Sequence, residues 1–371
     1  MPEIHTDRIL LCNNGIDIAG GHIMAYPRPL SEKTIAKMLT KEGITEKKSE
    51  FLHRLFLAAA KLYGVIDLEE LWTVYKETAA QNKYPKITRK EYLAFSLIAR
   101  REEHIYRIYE VDELYSKEKR DEMMRMIVLK DLKTRGGIMQ TMHYIVAERS
   151  AEYPLYIPED ILSFDSNAYT AYEKDFLEYL EELPCRQKYT YNDDGRKVRN
   201  ENYRKKLKEI TYTDSLDRHL LQEYEAGMKT NPGYYRKLLE EQKELVQKPV
   251  SQRLFDQFVR HDRADWQDSS WIIGYTIREI SEYTGELKET EYRRLVSLMS
   301  DLHNHSHLYS MHGWSPDELH RAYPPGKPKI AFGPGIKQMI QDGTYDRAEL
   351  ERMVKEAGLE VFDPDSDKNL S

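Results

Sequence analysis

Cysteine is scarce in this chain: two residues among 371, Cys12 and Cys185, far apart in sequence. Without a C-x-x-C spacing they predict neither a disulfide framework nor a zinc knuckle, and their simplest state is two free thiols. Long apolar runs are also missing. No stretch approaches the roughly 18 apolar residues that a membrane span needs, so no membrane partner is expected. The opening MPEIHTDRILLCNN sets acids and polar residues where a secretory leader would carry a basic and then an apolar segment, which predicts a cytoplasmic location. Glycine (18) and proline (15) are modest, and neither a low-complexity tract nor a 20–50-residue repeat occurs. An excess of positive charge is lacking too. A net charge of −7 argues against a protein that coats nucleic acid over its whole surface, and leaves a local basic patch as the form such binding would take.

Catalytic signatures are equally sparse. There is no G-x-S-x-G element for a serine nucleophile. GKPKIAFGPGIKQ (326–338) sets glycines ahead of a helix but does not match G-x-x-x-x-G-K-[ST] and has no obvious preceding strand, so it reads as a capped helix start. His261-Asp262 is a two-residue match to metal phosphohydrolases and lacks their further ligands. No cofactor is expected from any of these stretches.

What is present is helical periodicity. With 40% hydrophobic and 32% charged residues the chain can build more than one core and keep it soluble. The 27 tyrosines suit half-buried helix faces, each with an apolar body and a polar tip. An irregular segment leads into SEKTIAKMLTKEG, closed by Gly43. EFLHRLFLAAAKLYG (50–64) is an amphipathic helix ending on glycine. A second helix starts behind Asp67, and a third behind Thr88 with Glu91 completing a capping box. HIYRIYEVDELY (104–115) alternates as a strand does, and helices are expected again over 116–137. Three helices and then a strand follow the order of a winged-helix domain, whose third helix is the one offered to a DNA groove. The fold class expected is therefore mainly α and multi-helical, with a winged-helix-like N-terminal module containing a short β element. The segments are 1–43 (irregular, then a helix), 44–150 (winged-helix-like), 151–250 (linker and charged helices), 251–362 (helical C-terminal domain) and 363–371 (a disordered tail).

Charge is concentrated in three places. Over 86–101, Lys86, Arg89, Lys90, Arg100 and Arg101 face one carboxylate, Glu91. The expected helix 159–182 carries eight acids and one lysine, whereas 196–208 carries Arg196, Lys197, Arg199, Arg204, Lys205, Lys206 and Lys208 against Glu201. Solvated faces or mutual pairing account for such runs most simply, and the two basic stretches are the candidate contacts to a nucleic-acid backbone.

DLHNHSHLYSMHGWSPDELH (301–320) places His303, His305, His307, His312 and His320 within twenty residues of a chain that has twelve histidines. His-x-His-x-His converges on one ion only in an extended backbone, and the pattern here is helical. Leu295, Met299, Leu302, Ser306 and Tyr309 form the apolar stripe, with His303 and His307 on one border and His305 on the other. His303 and His307 keep the i, i+4 spacing of helical zinc ligands, and a metal there would draw on His261, Asp262 or His312. A helix over 287–313 closed by Gly313, followed by a new one capped by Ser315 with Pro316 and Glu318 in its first turn, is the structural reading.

The stretch N-H-S-H-L-Y-S-M-H-G-W-S-P-D-E-L (304–319) resembles one found in uncharacterised bacterial proteins that join a winged-helix-like N-terminal part to a helical C-terminal part. Some of these end in a cysteine-rich zinc module of the SEC-C type, whose cysteines have no counterpart here. The resemblance implies architecture and supplies no catalytic residue. The function expected is a non-catalytic interaction protein that binds protein or nucleic acid through the winged-helix-like module; the alternative is a metal-dependent hydrolase using the histidines of 303–312.

Overall fold

In the computed structural model the described residues are 26–110, 113, 121–130, 132, 145–146, 149, 154–191, 196–211, 225–229, 232, 236, 247–264, 269–324, 329–330, 340, 346–356 and 360–361. The protein is mainly helical with a small three-stranded antiparallel sheet. It divides into two compact units, Met1–Pro316 and Asp317–Ser371.

The first unit begins with α1 (Glu32–Lys41), α2 (Glu46–Tyr63), β1 (Val65–Asp67), α3 (Leu68–Asn82), α4 (Arg89–Ala99), β2 (Tyr106–Tyr109) and β3 (Met126–Leu129). Side chains set the four helix starts. Ser31, Thr45, Asp67 and Thr88 each accept from a backbone N–H of the first turn, and the Thr88 N–H donates back to Glu91 Oε2 at 2.8 Å. Gly64 ends α2 at φ 68°, a left-handed backbone that glycine adopts without a Cβ penalty. α2 is the central element: Leu52, Leu55, Phe56, Leu62 and Tyr63 are fully buried, each stabilising by about 1.5–3 kcal/mol relative to exposure, and Ala58, Ala59 and Ala60 are buried beside them. The sheet order is β1-β3-β2, with Val65 opposite Val128 and Ile108 opposite Ile127.

A second core is built by α5 (Ala171–Glu182), α6 (Val250–Ala264), α7 (Ser269–Thr284) and α8 (Glu289–His305), which bury Phe176, Leu180, Phe258, Ile280, Leu295 and Met299. Val65, Val128, Ala264 and Tyr309 form a smaller cluster drawing on both parts of the unit. A hairpin of β4 (Tyr189–Tyr191) and β5 (Lys197–Arg199) follows α5. The second unit contains most of α9 (Pro316–Ala322), α10 (Arg347–Glu356) behind Asp346, and the parallel pair β6 (Lys329–Ile330) and β7 (Glu360–Val361). Among the described residues no helix is long and apolar enough to cross a membrane.

Four sequence expectations change. Within 116–137, residues 126–129 form a strand, because this apolar run has a partner on each side, β1 and β2, that helical spacing cannot reveal. Residues 159–182 are not one helix; a 3-10 turn over Ile161–Asp165 is separated from α5 by the Thr170 capping box. The basic stretch 196–208 is a strand, a turn and a 3-10 turn over Leu207–Glu209, which places Arg204 at φ 75°. The helix expected over 287–313 stops at His305, with Ser306 extended at ψ 135°. Most of 326–338 and the tail 363–371 lie outside the described residues.

Candidate functional site

α4 carries the first basic stretch. Lys86, Arg89, Lys90 and Arg101 are exposed, and among the described residues none forms an ion pair. Arg100 is different: its guanidinium is buried and bonds Glu110 Oε1 at 3.0 Å and Glu113 Oε1 at 2.5 Å. Arg125, equally buried, bonds the same Glu110 at 2.8 Å and Ser96 Oγ at 3.0 Å. Arg100 therefore belongs to an internal ion-pair network with Glu110, Glu113 and Arg125, and is withdrawn from the docking set.

The second basic stretch is largely engaged. Lys206 and Lys208 both pair with Glu182, and their ammonium groups, Lys206 first, hold that carboxyl down to about 2. Lys205 Nζ bonds Asn202 Oδ1 at 3.1 Å, Lys197 lies 4.7 Å over the Tyr189 ring, and Arg204 lies 5.2 Å over Tyr203. Arg196 and Arg199 are exposed on the hairpin. Pairing with the acidic α5, the simpler reading of the two opposite runs, accounts for Lys206 and Lys208. Cys185, buried beside this hairpin, is a free thiol pushed up by burial, with Asn200 Nδ2 at 3.6 Å from its sulfur; Cys12 lies outside the described residues.

The histidines of 301–320 go to separate partners. His303 Nδ1 meets Asp262 Oδ1 at 2.7 Å; His305 Nδ1 meets the Asp301 carbonyl at 2.7 Å; His307 Nδ1 meets the Gly313 carbonyl at 2.6 Å. His312 Nε2 forms an ion-pair contact of 3.0 Å with Glu70 Oε1. Burial alone would raise the Glu70 carboxyl, but His312 and Arg149 beside it hold it below its ordinary value. The His261 ring lies 6.1 Å from that of Tyr275. The stretch is a packed corner: His307 sits against Tyr156 and Phe164, the Trp314 indole donates to the Pro154 carbonyl at 2.8 Å, and Tyr309 N–H donates to the Arg263 carbonyl at 3.1 Å.

A different trio does converge. His53 on α2 and Glu102 and His104 in the turn between α4 and β2 place their ligand atoms within 4.8 Å of one another, the one set of three or more such groups among the described residues. His53 Nε2 is 3.6 Å and His104 Nε2 3.7 Å from Glu102 Oε2. Burial pushes the His53 imidazole below its ordinary value, with Glu102 opposing and His104 reinforcing the shift, so the ring favours its neutral form. His104 stacks on Tyr106 at 4.8 Å, and the His53 ring meets Phe95 edge-on at 4.7 Å. A cavity of about 190 Å³ opens alongside, lined by Glu102 and Tyr106 together with Tyr26, Arg28, Arg107 and Lys130. Periodicity hides this trio, because His53 reads as one polar position of an amphipathic helix; the Glu-x-His pair at 102–104, just before a strand, was the available signal.

Comparison of the chain with family models, with curated proteins and with solved structures gives no match.

Proposed function

We propose that the N-terminal part of the first unit is a winged-helix-type module that docks on duplex nucleic acid through the exposed face of α4, in a non-catalytic role. The observation that carries the reading is topological. From α2 to β3 the order is helix, strand, helix, helix, strand, strand, with a sheet in the order β1-β3-β2, and this order supports a winged-helix reading. Electrostatics supports it, since Lys86, Arg89, Lys90 and Arg101 have no ion pair among the described residues and lie on or beside α4. Within this reading the ion pairs of Arg100 and Arg125 with Glu110 brace the sheet behind α4. A bacterial, cytoplasmic setting belongs to the same proposal.

Four phosphate-neutralising cations imply a log–log salt slope of about −3 to −4, binding that is measurable at low salt and steeply weakened above it. Fluorescence anisotropy with a labelled duplex tests this. Arg89→Glu with Lys90→Glu should abolish binding, while Lys205→Glu with Lys206→Glu should leave the slope unchanged. Absence of any anisotropy change at low salt would remove nucleic acid as the ligand. A protein partner is the second reading, favoured by Leu97, which is 42% exposed on α4.

A further inference from the structure

We propose that His53, Glu102 and His104 form a binding site for one divalent transition-metal ion of the zinc class. Two imidazoles and one carboxylate are the donor set of open zinc sites, in which a fourth position is left to water or another small ligand.

The spacing carries the argument. An imidazole that only needed a hydrogen bond to Glu102 would approach to about 2.7–3.0 Å. Instead His53 Nε2 and His104 Nε2 stand 3.6 Å and 3.7 Å from the same oxygen, Glu102 Oε2. Metal bonds of about 2.0–2.1 Å in tetrahedral geometry hold neighbouring ligand atoms roughly 3.3–3.4 Å apart, so the observed separation fits an ion between the atoms better than a direct bond. Satisfaction of polar groups points the same way. Glu102 Oε2 and His104 Nε2 are both buried without a hydrogen-bond partner among the described residues. Burying such groups unpaired is costly, and one cation would satisfy them together.

The surroundings fix the site and limit its strength. His104 is held by its stack on Tyr106 and His53 by the edge of Phe95, so the two rings are placed before any ion arrives. His53 Nδ1, however, is buried with no hydrogen-bond partner among the described residues, and metal-bound histidines that lack an outer partner bind roughly 10–100-fold more weakly. Micromolar rather than nanomolar affinity for zinc is the expectation.

The test uses the full chain, freed of metal by chelator and dialysed. Zinc is titrated against a chromophoric chelator, and cobalt is added in parallel, because its visible absorption reports both ligation and coordination number. Expected are one zinc per chain, an intense cobalt spectrum of a four- or five-coordinate site, and a loss of zinc affinity of roughly tenfold or more in each of His53→Gln, Glu102→Gln and His104→Gln. His303→Gln with His307→Gln should keep the wild-type stoichiometry. Failure of the wild type to take up stoichiometric zinc overturns the proposal. So does uptake that survives all three substitutions, or that disappears in the His303, His307 variant. Should a trio variant misfold, imidazole signals in the X-ray absorption spectrum of the wild-type cobalt form decide instead: two nitrogen-heterocycle ligands support the site, and an all-oxygen shell refutes it.

Discussion

The ring of Tyr63 lies against the Cα of Gly313 so closely that a Cβ built on that glycine would stand 2.6 Å from Tyr63 Cε1. The contact is mirrored one residue away, where a Cβ on Gly64 would stand 2.6 Å from the ring of Tyr309. Both glycines also hold left-handed backbones, φ 88° and φ 68°. Tyr63 is fixed in turn by its hydroxyl, which donates to the Tyr156 carbonyl at 2.7 Å. The end of α2 and the histidine corner thus fit together as paired ring and glycine. Gly313→Val should destabilise by about 3 kcal/mol or more, the sum of backbone strain and overpacking. Thermal and denaturant melts measure it, and the cost should shrink in a Tyr63→Leu background; equal costs in both backgrounds would show that the ring contact contributes nothing.

Asp67 supplies a test by pH. Its carboxyl caps α3, accepting from Glu70 N–H at 2.8 Å, yet burial first and the neighbouring Glu70 charge second push it up to about 6. A raised carboxyl means that the folded chain holds a proton which the unfolded chain has released. Stability from this group is therefore greatest below its unfolded value of 3.8 and is lost as pH rises through about 6. Asp67→Asn keeps a capping oxygen and removes the charge. Its melting temperature should exceed that of the wild type at pH 7.5, with the gap closing as pH is lowered to 4. A gap that does not change with pH would rule this account out.

Legibility in the sequence followed locality. The caps at Ser31, Thr45, Asp67 and Thr88 are local signals, and the expected starts behind Asp67 and Thr88 are the observed ones. β3 escaped because its identity depends on β1 and β2, some sixty and twenty residues earlier in the chain. α8 ends at His305 although apolar spacing continues to Tyr309, since Leu308 and Tyr309 are drawn out of the helix by partners elsewhere: the Trp314 carbonyl and the Arg263 carbonyl. The dense histidine run drew attention by composition, while the three groups that converge are dispersed over α2 and the turn before β2.

Adjacent arginines should behave in opposite ways. Arg100 is buried between Glu110 and Glu113, whereas Arg101 is exposed with no ion pair among the described residues. Arg100→Gln leaves Glu113 without its cation and Glu110 with Arg125 alone, and should cost about 2–4 kcal/mol in urea melts. Arg101→Gln should change stability by about 0.5 kcal/mol or less and, on the proposed function, reduce the salt slope of duplex binding by about 1. Comparable stability losses in the two variants would contradict the burial difference on which the docking face is drawn.

The histidine corner makes the last prediction, because His303 and His305 share a helix turn and differ in what they protect. His303 Nδ1 meets Asp262 Oδ1 at 2.7 Å, and Asp262 is 2% exposed, with its other oxygen lacking a hydrogen-bond partner among the described residues. Removing the imidazole strands a buried carboxylate. His303→Leu should therefore destabilise by about 2–4 kcal/mol, and adding Asp262→Asn to it should recover part of the loss, since an amide is cheaper to bury than an unpaired charge. His305 instead stacks on Tyr172 at 3.9 Å and bonds a carbonyl at an exposed position, so His305→Gln should cost about 1 kcal/mol or less. If His303 held a metal instead, EDTA would lower the wild-type melting temperature and leave that of His303→Leu unmoved. With its role set by Asp262, any chelator effect should be the same in both and should vanish in His104→Gln, whose ring belongs to the other cluster.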